Sequence, residues 1–184
     1  MEDISKYLRY AMLFPVIISF VVAFFMIPIL QASGYTIETT DIIINGDYVW
    51  PTPGFTSISS SFGKRKSPTA GASSYHEGVD ILAYQGTKVL SIADGKVIFA
   101  GWSSSGGYMV KIQHDSGMVS AYCHMDEIIK VNVGENVKAG ENIGAVGPKI
   151  LSNGKLNGAT TGVHLHLAIY KNGQAINPLT CFTP

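Results

Sequence analysis

Lys88-Val89-Leu90-Ser91-Ile92-Ala93-Asp94-Gly95-Lys96-Val97-Ile98-Phe99-Ala100 decides the fold. Two short runs of β-branched and aromatic residues flank an Asp-Gly pair, which reads as two strands punctuated by a turn. The pattern continues downstream. Tyr108-Met109-Val110-Lys111-Ile112 and Val119-Ser120-Ala121-Tyr122 are strand-like, and Gly106-Gly107 and Asp115-Ser116-Gly117 are the turns beside them. Val131-Asn132-Val133, Glu141 to Val146 and His164 to Tyr170 are further expected strands, and Lys171-Asn172-Gly173 is a further turn. No stretch of this region repeats its apolar residues every 3.6 positions, as a helix would. Short, closely spaced strands with glycine turns predict an all-β fold, a small antiparallel sandwich or barrel-like domain.

The front of the chain is different. Met12 to Leu30 (MLFPVIISFVVAFFMIPIL) holds no charged residue. A run of about 19 apolar residues is long enough to cross a hydrocarbon layer about 30 Å thick. Lys6 and Arg9 precede it, and Glu38, Asp41 and Asp47 follow it with no basic residue before Lys64. Basic residues tend to stay on the cytoplasmic side. The expected order is therefore a cytoplasmic stub at 1–10, a transmembrane anchor at 11–32, a connector at 33–49 and an extracytoplasmic domain at 50–184. The rival is a secretory signal cleaved near Ala32-Ser33-Gly34, but apolar stretches of signals run to about 7–15 residues, and this one is longer.

Formal net charge is zero over the whole chain, and from Pro51 onward 11 basic residues face 8 acidic ones. A surplus of about three is too small for a nucleic-acid partner. It is compatible with an anionic polymer. The two cysteines, Cys123 and Cys181, lack the C-x-x-C spacing of a thiolate metal site. On a regular strand Cys123 points away from the face of His124, which predicts a core thiol and argues against a Cys–His nucleophile pair.

Of five histidines, four fall into short patterns: His76-Glu77-Gly78-Val79-Asp80, Tyr122-Cys123-His124 and His164-Leu165-His166. Histidine and carboxylate hold Zn²⁺ while leaving a position for water. On a straight strand His76 and Asp80 would lie about 13 Å apart, too far to share one ion. Sharing therefore requires a bend, and Gly78 is the residue able to provide it. The expected arrangement is a turn at Glu77-Gly78 feeding a strand at Val79 to Leu82. His164 and His166 project from one strand face about 6.5–7 Å apart, with Leu165 and Leu167 on the core side. Imidazoles on an otherwise apolar strand are costly unless satisfied. One of the two can bind metal while the other reaches the activated water, and the spacing leaves open which. His114 sits beside a turn and has no expected role. Pro148 to Gly162 (PKILSNGKLNGATTG) is a long loop expected to form one wall of a cleft.

Together with Trp50-Pro51-Thr52-Pro53-Gly54, Ser61-Phe62-Gly63-Lys64-Arg65, Ala93-Asp94-Gly95-Lys96-Val97 and Val133-Gly134-Glu135-x-Val137-Lys138-Ala139-Gly140, these motifs resemble the lysostaphin-like family of zinc endopeptidases. That family cuts the peptides of bacterial cell walls. The resemblance covers about residues 50–178. It implies a small antiparallel β-fold with an open groove, Zn²⁺ held by His76, Asp80 and His166, and His124 and His164 as catalytic histidines beside it. It implies as substrate the peptide stems or cross-bridges of peptidoglycan. Glu77 could imitate a metalloprotease base, but at a bend it is expected to be exposed, and the histidines are preferred. Cys123 departs from the family pattern, in which a small residue is commoner, and the 148–162 loop is long. Two rivals share the strand pattern. A wall-binding scaffold or hydrolase activator of the same fold would not need a complete metal set. A lipoyl- or biotin-carrier-like hairpin at Val133 to Gly144 leaves the histidines unexplained.

Overall fold

The computed structural model describes residues 43–44, 48–67, 73–115 and 117–182. The expected cytoplasmic stub, the expected transmembrane helix and most of the connector lie outside the described residues. Among the described residues no helix is long and apolar enough to cross a membrane.

The described residues form an all-β, antiparallel domain, with a single 3-10 turn at Pro178–Cys181. In chain order the short strands are β1 (Ile43–Ile44), β2 (Tyr48–Val49), β3 (Ile58–Ser60), β4 (Gly63–Lys64), β5 (Tyr75–His76), β6 (Gly78–Ile81) and β7 (Lys88–Leu90). The central hairpins follow as β8 (Gly95–Ser103), β9 (Gly107–Gln113) and β10 (Met118–Met125). Then come β11 (Asn136–Val137), β12 (Asn142–Ala145), β13 (Leu165–Lys171) and β14 (Gln174–Ile176). The main sheet runs β11-β8-β9-β10-β13-β6-β3, with β14 also paired to β13. Two-stranded pairs β12–β7, β4–β5 and β1–β2 complete it.

The core lies on one face of the main sheet. Leu165, Leu167 and Ile169 of β13, Val79 and Ile81 of β6, Val110 and Ile112 of β9, and Tyr122 of β10 are all buried there. Val89, Ile92, Ile143 and Val146, from β7, β12 and their flanks, belong to the same cluster. Each fully buried aliphatic side chain contributes about 1.5–3 kcal/mol over an exposed one. The arrangement is a lopsided two-layer fold, covered on one face and open on the other. Period-2 alternation then puts His166, Ala168 and Tyr170 on the open face of β13. Val49, at the end of the expected connector, is also buried and donates to the Ile92 carbonyl (2.8 Å).

Two local expectations change. Val131-Asn132-Val133 is not a strand. The Val97 N–H and carbonyl are taken by the Glu135 carbonyl and the Gly134 N–H across a turn, so pairing with β8 starts only at Asn136–Val137. Cys123 does not sit in the main core. It packs with Met109, Ala121 and Ala168 on the open face and lines the same cleft as His124. The reason is an irregularity in β10 between Tyr122 and Met125, where His124 adopts φ 61°. A bulge inserts an extra residue and re-aims side chains, so simple alternation fails there.

His114 has a structural role that the turn beside it did not suggest. Its ring is buried, with Nδ1 2.8 Å from the Asp94 carbonyl and Nε2 2.8 Å from Ser120 Oγ. Facing a carbonyl, Nδ1 must carry the proton, so neutral Nε2 accepts from the Ser120 hydroxyl. Burial pushes its pKa below the ordinary imidazole value. A histidine with a depressed folded pKa binds fewer protons than in the unfolded chain, so its stabilising contribution is present at neutral pH and lost as pH falls below about 6.5. NMR titration is expected to show this ring staying neutral to lower pH than a free imidazole. A midpoint at or above 6.5 would contradict the assignment.

Candidate metal centre and cleft

Asp80 and His166 are direct cross-strand partners on β6 and β13. His76 arrives from β5, which is separated from β6 only by the bend at Glu77. The bend expected at Glu77-Gly78 is thus present, and β6 begins at Gly78 itself. No side chain fits at Gly78, because a Cβ there would collide with the Leu167 carbonyl and the His166 ring.

Three donor atoms converge. His76 Nε2 lies 2.9 Å from His166 Nδ1, and Asp80 Oδ1 lies 2.9 Å from His166 Nδ1 and 3.1 Å from His76 Nε2. Candidate ligand atoms of these three residues all fall within 4.8 Å of one another. A tetrahedral Zn²⁺ with bonds of about 2.0–2.1 Å spaces its ligands by about 3.3 Å, so the triangle is within a few tenths of an ångström of what that ion needs. His76 Nδ1 donates to the Ser61 carbonyl at 2.9 Å, which fixes Nε2 as the lone-pair nitrogen. Two nitrogens and one carboxylate oxygen make a donor set suited to zinc with a position left open.

Burial alone would raise the Asp80 pKa. The imidazoles of His164, His166 and His76 packed around it outweigh that and hold the carboxyl well below the usual carboxylate range. Arg65 Nη1 takes the other oxygen, Oδ2, at 3.2 Å, and also bonds Ser60 Oγ. Burial lowers the His166 pKa despite the hydrogen bond it makes to the Asp80 carboxylate.

The other two candidate histidines stand beside this triangle. His164 Nε2 is 3.4 Å from Asp80 Oδ1, and its Nδ1 donates to the Gly162 carbonyl at 3.1 Å. His124 Nδ1 donates to the Asn157 carbonyl at 2.8 Å, which leaves Nε2 as acceptor. The His124 ring lies 4.9 Å from the His164 ring and 6.2 Å from the His166 ring, edge-on to both. Burial, reinforced by the neighbouring His164, drops the His124 pKa to about 4. All five expected residues line one open cleft of about 430 Å³. Ala159 and Thr161 of the 148–162 loop line it too, as expected of a wall. Glu77 is exposed and accepts from Tyr170 Oη at 3.0 Å. Cys123 and Cys181 are free thiols, and burial pushes the Cys123 thiol up to about 12, which disqualifies it as a nucleophile near neutral pH.

Sequence reasoning missed Asn157. Fully buried, it accepts from the Tyr108 N–H (2.9 Å) and donates to the carbonyls of Met125 (2.9 Å) and Pro148 (3.2 Å). Its own carbonyl orients His124. In the sequence it is one more Asn-Gly in a polar loop, and nothing local betrays contacts 32 to 49 residues away. Gly107 (φ 66°) passes so close that a Cβ would collide with Asn157. Asn157→Ala is expected to lower the unfolding free energy by about 3 kcal/mol, since three backbone groups, the buried Met125 carbonyl among them, lose partners at about 1–3 kcal/mol each. Urea unfolding of the metal-free chain measures it, and a change under about 1 kcal/mol would show that water replaces the amide.

Comparison with known proteins follows the same lines. The model of peptidase family M23 matches residues 74–178. DD-carboxypeptidase/endopeptidase Mpg of Neisseria meningitidis serogroup B is 37% identical over 130 residues, 71% of this chain and 28% of that protein. A zinc-containing peptidase from Vibrio cholerae aligns with TM-score 0.64 at 29% identity, over 77% of this chain and 41% of that one. The catalytic domain of lysostaphin from Staphylococcus simulans aligns with TM-score 0.58 at 30% identity, over 68% of this chain and 91% of that one. The chain spans only 28% of the length of the Neisseria relative. With the motif order, the open-faced sheet and the convergent His–Asp–His triangle all in agreement over this region, the chain belongs to peptidase family M23.

Proposed function

We propose that this chain is a zinc metalloendopeptidase that hydrolyses peptide cross-links of bacterial peptidoglycan. The observation that carries the reading is the convergence of His76 Nε2, Asp80 Oδ1 and His166 Nδ1 in the lining of a cleft that also presents His124 and His164. His76, Asp80 and His166 are the proposed ligands. Zn²⁺ held there would supply a Lewis acid for the peptide carbonyl and acidify a water. The remaining work falls to the chain. His124, neutral and with Nε2 free to accept, takes the water proton and passes it toward the leaving amine. His164, beside Asp80, stabilises the charge that develops on the carbonyl oxygen. Glu77 is engaged with Tyr170 and is not the base.

The name of the Neisseria relative, a DD-carboxypeptidase/endopeptidase, favours a linkage between D-amino acids over a glycine bridge. Residues 50–184 form the proposed catalytic domain, outside the cytoplasm. Residues 11–32 anchor it as a single-pass segment with residues 1–10 in the cytoplasm and 33–49 as connector. The intact mass of the membrane-bound protein tests the anchor, because cleavage near Ala32 would remove the apolar run.

The decisive experiment incubates the chain with defined cross-linked wall fragments, with and without chelator, and identifies new amino termini by mass spectrometry. Chelator-sensitive cleavage at one bond is expected. A zinc-free chain inert on every fragment would put a scaffold or hydrolase activator in its place.

A further inference from the structure

Besides the histidines, the cleft is lined by four charged side chains: Arg65, Glu77, Asp80 and Lys111. Three have partners. Arg65 pairs with Asp80, Asp80 faces three imidazoles, and Glu77 accepts from Tyr170. The Lys111 side chain makes no ion pair or hydrogen bond among the described residues. It is half-buried, beside the apolar floor formed by Met109, Ala121, Cys123 and Ala168. Its stem can pack along that floor while the ammonium stays in the cleft, where it has no counter-charge and is available to an anionic occupant.

Strand register locates the lysine relative to the metal centre. Lys111 of β9 pairs with Ala121 of β10, Ala121 with Ala168 of β13, and Ala168 with Gly78 of β6. Phe99 of β8 flanks Lys111 on its other side. This row crosses the open face immediately beside the row Asp80–His166–Cys123. Gly78, Ala168 and Ala121 carry one methyl or none and lie buried low in the cleft floor, and Lys111 and Phe99 are the first large side chains along the row. Two strands at about 4.8 Å each and one pleat repeat of about 6.7 Å put the Cα of Lys111 roughly 12 Å from that of His166. The four-carbon stem of lysine covers part of that distance. What remains is about two residues of extended peptide at 3.3–3.6 Å each.

We propose that Lys111 is a specificity-determining residue, whose ammonium pairs with a free carboxylate of the substrate carried within about two residues of the bond that is cut. The intervening peptide passes over the row of small residues Gly78–Ala168–Ala121. This inference rests on the peptidase reading above, and its test separates the two.

The probes are a soluble cross-linked muropeptide dimer with its free carboxyl groups, and the same dimer with those groups converted to carboxamides. Two quantities are measured on the full chain: hydrolysis with zinc loaded, and calorimetric binding after chelation. Wild type is expected to favour the carboxylate form by about tenfold or more in both, the worth of one charge-assisted contact. Lys111→Met is expected to bring the ratio close to one, Lys111→Glu to invert it and Lys111→Arg to keep it, with thermal melting confirming that each variant is folded. Equal treatment of the two forms by wild type, or a preference that survives in Lys111→Met, overturns the inference even if hydrolysis is vigorous. Selective binding of the carboxylate form without hydrolysis of either keeps the pairing of Lys111 with a ligand carboxylate and overturns the peptidase reading together with the placement relative to a cut bond. Neither binding nor hydrolysis overturns both.

Discussion

Asp80→Asn is expected to lower kcat/KM on wall fragments by about 10⁴-fold or more, equivalent to roughly 5.5 kcal/mol of transition-state stabilisation, and to leave the purified chain without zinc. The carboxylate is the one anion among the three candidate ligands, and it bridges both of the others at about 3 Å. Its neutral isostere can still accept hydrogen bonds from the imidazoles, so the metal-free fold survives while the charge that attracts a divalent ion is lost. His166→Ala, on the neighbouring strand, is expected to act alike, because two donors cannot close a three-ligand site. Zinc content by mass spectrometry and melting of the metal-free proteins separate loss of the ion from loss of the fold. Retention of one tightly bound zinc by Asp80→Asn with undiminished turnover would sink the ligand assignment.

His124→Ala and His164→Ala should give the second-largest losses by a different route. Both variants are expected to keep one zinc per chain, while kcat drops by about 10²–10⁴-fold, the usual worth of positioned proton transfer. KM should move little, since the lost interaction belongs to the transition state. The neutral state of His124 and the carbonyl of Asn157 that holds its proton on the far nitrogen make the stronger case for this residue as proton acceptor. An effect confined to KM in either variant would place that histidine in substrate binding instead.

How far the sequence reaches can be seen residue by residue. The bend between His76 and Asp80 was legible because a straight strand could not bring them together and a glycine stood between them. The shared face of His164 and His166 was legible from period-2 alternation alone, and Leu165 and Leu167 are fully buried opposite them. His124 was legible as a candidate only from its company. Its φ of 61° and the bulge around it arise where β10 meets both β9 and β13, and no local propensity encodes a register shift between three strands. Asn157 and His114 were illegible for a related reason, since each bonds to backbone brought near by pairing far along the chain. Val131 to Val133 has strand-forming residues, but the partner groups on Val97 are already taken by a turn. Lys111 looked like any polar residue of an alternating strand until the register set it in the cleft, in one row with Ala121, Ala168 and Gly78.

The triangle also joins parts of unequal sturdiness. His76 stands on the two-residue ribbon β5, whose ladder partner is the equally short β4, whereas Asp80 and His166 are neighbours in the eight-stranded sheet. A divalent ion gripped by all three would rivet the ribbon to the slab. Stripping that ion should therefore free one corner and spare the rest, with amide protons of residues 63–65 and 74–77 exchanging faster while β9, β10 and β13 stay protected. Such a molecule would meet metal scarcity by going idle, keeping its framework intact for reloading.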